Sequence, residues 1–267
     1  MQGPADQRGL VSAFGAHIAV VSDVPELWSD IASRLPAARI GRLADLPSVP
    51  APDVSYLMER LRGGSGLRFE RAGSELARGD PEAVLRRLID ALHFDVALHA
   101  REASFIHASV VRWHGRLLLF PGRSRAGKST LAAALCTRGA TYYSDEYAPI
   151  DETGRVMPYP KSISLRSDLG LDAGAPLGEG SATTTAPDAV VFTRYRPQAR
   201  FKPREISVET AALSLVDNAV AAVPRPRQTA AAVARLLAHR PRLAEGDRAE
   251  AGEFVAALEA WLVRSLP

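Results

Sequence analysis

Gly122-Arg123-Ser124-Arg125-Ala126-Gly127-Lys128-Ser129 spells G-x-x-x-x-G-K-S, the spacing of a loop that cradles a polyphosphate. Gly122 and Gly127 admit backbone angles that side chains resist, so successive N–H groups can converge on an anion. Lys128 brings a mobile cation to the outer phosphates, Ser129 offers a hydroxyl to Mg²⁺, and Thr130 completes the binding stretch. A chance match arises in roughly one random chain of this length in a hundred. The chain has 33 basic residues but only three lysines, Lys128, Lys161 and Lys202, so a lysine in this slot is informative. The second chemical feature is the pair Asp145-Glu146. Carboxylates at the carboxyl end of a strand can hold Mg²⁺ or take the proton of an attacking hydroxyl. Adjacent acids on a bending strand end divide these roles naturally, one as base and one as metal ligand.

The elements that must position these groups are legible nearby. Leu117-Leu118-Leu119-Phe120 reads as a buried strand entering the glycine loop, and Thr130–Leu135 as the helix leaving it. Arg138-Gly139 is a helix stop, Ala140–Tyr143 a short strand ending at the acidic pair, and Tyr147–Ile150 with Val156–Pro160 a hairpin-like piece. Upstream, Ser104–Val111 is β-like and turns at Trp113–Arg116. Residues 1–15 read as a loose tail, followed by a strand at His17–Val21 and a helix from Pro25 to Leu35 capped by Asp23. Val54–Leu61 and Leu67–Arg71, joined by Arg62-Gly63-Gly64-Ser65-Gly66, suggest a hairpin. Asp80-Pro81 opens a long amphipathic helix to Arg101. Beyond the site, Gly170–Pro187 has the composition of a mobile loop and Asp188–Tyr195 that of a strand. Val208–Asp217, Thr229–His239 and Asp247–Leu266 read as helices joined by Pro/Arg linkers. The boundary of an N-terminal α/β domain falls near residue 95, giving 1–95 an accessory or substrate-recognition role and 96–267 the catalytic one.

Composition bounds the rest. With 267 residues, 46% hydrophobic and 24% charged, the chain is an ordinary globular protein of one large domain or two smaller ones. Its single cysteine, Cys136, rules out an intrachain disulfide and reads as a small buried side chain. No run approaches the roughly 20 apolar residues of a membrane helix, and the N-terminus lacks a signal-peptide core, so a cytoplasmic location without membrane association is expected. A net charge of +3 is too mild to indicate nucleic acid. Arg194–Arg204 does concentrate five cations with two aromatics, but it is short and Pro-interrupted, which favours a solvated hairpin or the docking of an acidic peptide. Lys161 and Arg166 lie where a strand could border the site, either neutralising transition-state charge or meeting an acidic acceptor.

His107-Ala108-Ser109-Val110, the loop G-R-S-R-A-G-K-S-T, Arg138-Gly139-Ala140 and Ser144-Asp145-Glu146 follow one another as in the HPr kinase/phosphorylase family. The chain is still more similar to the HPr-kinase-like kinases found with lasso-peptide and related biosynthetic proteins, over about residues 104–166. The resemblance implies an α/β fold with a mixed sheet, of the type shared by HPr kinase and ATP-dependent phosphoenolpyruvate carboxykinase, with a small N-terminal α/β domain and C-terminal helices. It implies ATP and Mg²⁺ as cofactors and self-association as a possibility. It makes Asp145 the general base, His107 the residue that orients it, and Glu146 a metal ligand with Ser129. Three departures stand out: Arg125 replaces a family glycine, Asp145-Glu146 replaces Asp-Asp, and no counterpart of the E-x-R-G-x-G segment is present. They weigh against HPr as acceptor and against phosphorolysis. The expected activity is transfer of the γ-phosphoryl group to a hydroxyl, first a Ser or Thr of a peptide or small protein. The rivals are a metabolite kinase and a nucleotide-binding module that transfers nothing.

Overall fold

The computed structural model describes residues 7–35, 38–42, 50–122, 127–159 and 183–263. The chain divides into two compact units, Met1–Glu102 and Ala103–Pro267. The helix expected from Pro81 to Arg101 spans Pro81–His99 and belongs to the first unit.

In the first unit, strands β1 (Gln7–Ala13), β2 (Ala16–Ser22), β3 (Arg39–Arg42), β4 (Val54–Arg60), β5 (Leu67–Arg71) and β6 (Ser74–Gly79) form one mixed sheet in the order β3-β1-β2-β4-β5-β6. Helix α1 (Leu27–Arg34) lies between β2 and β4, which pair in parallel, and α2 (Pro81–His99) packs on β2, β5 and β6. The N-terminal segment is therefore not a loose tail from Gln7 onward. Val11 and Ala13 are buried, and Phe14-Gly15 turns with positive φ into β2. Asp23 does not cap α1 either. The helix starts at Leu27, and the Asp23 carboxylate accepts the Arg60 N–H at 2.9 Å. Asp80 does cap α2, accepting from the Ala83 N–H at 2.9 Å. One polar group anchors α2 to the sheet: Asp95, fully buried, accepts from Tyr56 Oη at 2.5 Å and from Arg71 through two hydrogen bonds of 2.7 and 2.5 Å. Asp95 adds its charge to burial in pushing the Tyr56 pKa up, and its hydrogen bonds push that of Arg71 up.

The second unit is built on strands β7 (Ser104–Ile106), β8 (Ala108–Trp113), β9 (Arg116–Pro121), β10 (Thr141–Ser144), β11 (Ala148–Ile150), β12 (Ala189–Tyr195), β13 (Arg204–Glu205) and β14 (Arg242–Arg248). Its main sheet has the order β10-β8-β9-β12-β14-β13. Strands β9, β12 and β14 are parallel neighbours, and β10, antiparallel to β8 as β9 is, points the same way. All four therefore end at one edge, the place where α/β sheets gather their ligands. Helices α3 (Lys128–Cys136) and α6 (Ala251–Val263) cover one face with Val111, Leu118, Phe120 and Val191. Helices α4 (Val208–Asp217) and α5 (Pro226–Ala238) cover the other with Val110, Leu117, Leu119 and Val190. These alternating inward residues are what the apolar run 117–120 requires, since a parallel strand is buried on both faces.

Two expectations are corrected here. The β-like segment 104–111 is two strands broken at His107, because β7 leaves the main sheet to pair with β11. The linker between the last two helices contains β14, which extends parallel to β12 over seven residue pairs. The expected mobile loop at Gly170–Pro187 lies mostly outside the described residues. No helix among the described residues is long and apolar enough to cross a membrane.

Candidate active site

The acidic pair sits where two ladders break together. Strand β8 pairs with β10 and strand β7 with β11, so the chain must step from one sheet to the other at His107 and again at Asp145–Tyr147. Glu146 takes a left-handed φ of +85°, a conformation that costs a non-glycine residue about 1–2 kcal/mol. The turn is tied down by the Ser144 hydroxyl, which donates to the Tyr147 carbonyl, and by the Ala108 N–H, which donates to the Glu146 carbonyl at 3.2 Å. Asp145 is 6% exposed and Glu146 half-buried. The turn thus holds the acidic pair at the carboxyl end of β10.

Ser109 donates its hydroxyl to Asp145 Oδ1 at 2.5 Å, with both residues buried. Ser109 lies on β8 beside β10, two residues along from His107, the residue expected to orient this acid. The His107 ring packs on Tyr147, with centroids 5.2 Å apart, and its backbone accepts the Gly122 N–H at 3.0 Å. His107 thus buttresses both the acidic turn and the end of β9. Phe105, Tyr147 and Tyr159 add edge-to-face contacts behind it.

At the other side of the site, β9 delivers Gly122 and α3 begins immediately after Gly127, whose φ of +75° is left-handed. Arg123, Ser124, Arg125 and Ala126 lie outside the described residues, as do Lys161 and Arg166. Lys128 is 8% exposed. Burial pushes its pKa down, while the charges of Asp145 and Glu146 push it back up. One lysine ammonium and two carboxylates from opposite sides of β8 thus share an electrostatic field. Ser129 and Thr130 follow, half-buried, in the first turn of α3. Among the described residues, no group of three or more His, Cys, Asp or Glu could hold a metal ion by itself.

Arg248 escaped the sequence reading, whereas the cations of Arg194–Arg204 were legible as a docking stretch. Arg248, at the end of β14, is 3% exposed and donates from Nη2 to the Gly127 carbonyl at 3.0 Å and from Nη1 to the Ala249 carbonyl at 3.2 Å. A groove of about 950 Å³ also opens beside Gly122, bordered by Arg194, Arg196, Lys202 and Arg204 together with Asp217, Glu245 and Asp247. Its cations are partly answered within it: Arg196 pairs with Asp247 at 3.2 Å, and Arg204 with Glu245.

No family model matches the chain, and no curated protein does. Among solved structures it is similar to the HPr(Ser) kinase/phosphatase from Coxiella burnetii, with a TM-score of 0.32 and 15% identity, over 60% of this chain and 93% of that chain. A TM-score that low does not establish a shared fold, so the geometry above stands by itself.

Proposed function

We propose that the chain is an ATP- and Mg²⁺-dependent phosphotransferase with a P-loop kinase core of the HPr kinase/phosphoenolpyruvate carboxykinase type. It would pass the γ-phosphoryl group to a hydroxyl, that of a Ser or Thr in a peptide or small protein. The observation that carries the reading is the buried Lys128 at the start of α3, in the field of Asp145 and Glu146, with Ser109 holding Asp145. Gly122 to Thr130 would hold the triphosphate, and Ser129 with Glu146 the metal. So small a protein ligand set suits Mg²⁺, which keeps waters and phosphate oxygens as its other ligands. Bound there, the metal would neutralise charge on the outer phosphates.

The chain's own groups do the remainder. Lys128 supplies a second cation to the outer phosphates. Asp145 accepts the acceptor's proton as the hydroxyl oxygen bonds to the γ-phosphorus and the bond to ADP breaks. Ser109 fixes one carboxylate oxygen and leaves proton transfer to the other. His107 steadies the turn through Tyr147. The groove beside Gly122 favours an extended acceptor over a metabolite, because exposed charged side chains line it rather than an apolar enclosure. The resemblance to kinases of peptide biosynthesis points to a precursor peptide as that acceptor.

The test is incubation of the purified protein with ATP, Mg²⁺ and candidate peptides encoded beside its gene, followed by mass spectrometry. A phosphate-sized gain on a peptide, lost in both Lys128→Ala and Asp145→Asn, supports the reading. Activity that survives Asp145→Asn would sink it in favour of a nucleotide-binding module, and modification of small molecules alone would favour a metabolite kinase.

A further inference from the structure

We infer that the groove beside Gly122 is the docking site of an acidic stretch of the acceptor polypeptide, with Arg194 and Lys202 reading its carboxylates. The inference rests on the phosphotransferase reading for there being an acceptor at all. It adds the chemistry of the segment that flanks the modified Ser or Thr.

Four cations and three carboxylates border the groove, and they do not cancel. Arg196 pairs with Asp247 at 3.2 Å and Arg204 with Glu245, while Asp217 stands at the end of α4. Among the described residues, Arg194 and Lys202 form no ion pair. Both are exposed, Arg194 near the end of β12 and Lys202 just before β13. A carboxylate entering the groove therefore meets two cations that have no partner to give up.

The stretch that carries these cations is tied to the sheet. Arg196-Pro197-Gln198-Ala199 closes a turn, with the Ala199 N–H on the Arg196 carbonyl at 3.1 Å and a left-handed φ of +65° at Gln198. The Arg196 N–H donates to the Arg248 carbonyl at 2.8 Å, and β13 pairs with β14. Phe201 is buried, its ring centroid 4.4 Å from that of Phe254. A Cβ built on Gly246 would lie 2.8 Å from the Phe201 ring and 3.1 Å from the Lys202 carbonyl oxygen, so β14 needs glycine where the cationic stretch crosses it. Charges on an ordered backbone lose less freedom on binding than charges on a loose one.

The fold also leads the groove toward the acids. Gly122, on its border, donates its N–H to the His107 carbonyl at 3.0 Å, and the His107 N–H donates to the carbonyl of Asn218, also on the border, at 2.8 Å. The next residue, Ala108, donates its N–H to the Glu146 carbonyl at 3.2 Å. One hydrogen-bonded strut thus joins the groove to the turn that carries Asp145.

Mixed signs decide the class of occupant. A nucleic acid repeats its phosphates and would meet Asp217, Glu245 and Asp247 as well as the cations. A peptide can set an acid against Arg194 and Lys202 and neutral residues elsewhere.

The test is the fluorescence anisotropy of labelled peptides, each with one serine flanked by glutamates, alanines or lysines. It uses the full-length protein at low ionic strength, where exposed charge pairs are least screened. The glutamate peptide should bind about 3- to 30-fold more tightly than the alanine peptide, as two exposed ion pairs allow. Arg194→Gln with Lys202→Gln should erase that preference, and Arg194→Glu with Lys202→Glu should turn it toward the lysine peptide. Arg62→Glu with Arg87→Glu makes the same change in net charge on exposed residues of the first unit and should leave the preference intact. Equal binding of the three peptides would overturn the inference, as would a preference that survives the Arg194 and Lys202 changes or is lost equally with Arg62 and Arg87. So would a single-stranded DNA oligomer that outcompetes the glutamate peptide, or a Gln pair that loses ATP as steeply as peptide. Calorimetry with ATP separates this inference from the reading it rests on. A wild-type protein that takes the glutamate peptide but no ATP keeps the docking site and sinks the phosphotransferase, and one that takes ATP without a peptide preference does the reverse. Thermal unfolding checks each variant, and should the Glu pair fail to fold, the Gln pair decides.

Discussion

Replacing Ser109 by alanine tests the chemistry most directly, because it removes one oxygen and leaves every proposed catalytic group in place. Ser109 is fully buried, and its hydroxyl donates to Asp145 Oδ1 at 2.5 Å. A hydrogen bond to an ionised carboxylate is worth about 1.5–3 kcal/mol. If the whole of that bond is needed to aim the carboxylate at the acceptor, kcat falls about 10- to 150-fold, since each ~1.4 kcal/mol is a factor of ten. Losing it from a buried acid should also cost about 1–2 kcal/mol of stability. The assay is single-turnover phosphoryl transfer at saturating ATP and acceptor, with urea unfolding run beside it. The KM for ATP should stay close to the wild-type value, because Ser109 acts through Asp145 and not on the nucleotide. Ser109→Thr keeps the hydroxyl and should recover most of the rate, with a small loss from the extra methyl in a packed strand. A Ser109→Ala protein turning over within twofold of the wild type would show that the bond does not orient the base, and the mechanism would have to look elsewhere.

Other consequences follow from the same structure. Asp95→Ala strips Tyr56 and Arg71 of their shared buried partner, and should lower the stability of the first unit by about 3–5 kcal/mol, read as an earlier urea transition. Gly154→Ala should destabilise the second unit by about 2–5 kcal/mol, because a Cβ there would sit 2.4 Å from the Arg235 carbonyl carbon at a φ of +83°. Lys128→Met should raise the melting temperature by about 1–3 °C while abolishing nucleotide binding, since burial works against the lysine cation. Acid should be destabilising through Asp53 and Asp151. Burial pushes both carboxyls up, but Arg101 and the His17 N–H outweigh it at Asp53, and the Thr153 and Arg155 donors do so at Asp151. Both end below the ordinary 3.8, so their stabilisation is complete above that pH and is lost as pH falls through their folded values. Unfolding of Asp53→Asn and Asp151→Asn followed from pH 6 to pH 2 should show a flatter acid limb than the wild type.

How much of this was open to a reader of the sequence depends on the range of the signal. Helix α2 announces itself through Asp80-Pro81, and α4 begins at Ser207, whose hydroxyl takes the Thr210 N–H at 3.2 Å; caps are local, so their residues are neighbours in the chain. The glycine loop and the helix after it are legible for the same reason. Strand β14 is not. Arg242-Leu243-Ala244-Glu245-Gly246-Asp247-Arg248 has the charge of a linker and follows a proline, and it is a strand because β12 offers seven residues for it to pair with. The tail at Gln7–Ala13 becomes β1 on the same terms, completed by its partners β2 and β3. The candidate site inherits this division. Lys128 and Ser129 belong to a contiguous pattern, and Asp145-Glu146 could be picked out because a strand had to end beside them. Ser109 reaches Asp145 across 36 residues, and Arg248 reaches Gly127 across 121. Neither pairing has a periodicity, because each is decided by which strand lies against which. A parallel sheet gathers strand ends from distant parts of the chain at one edge, so contiguous motifs are legible locally while the pairings made between those ends are not.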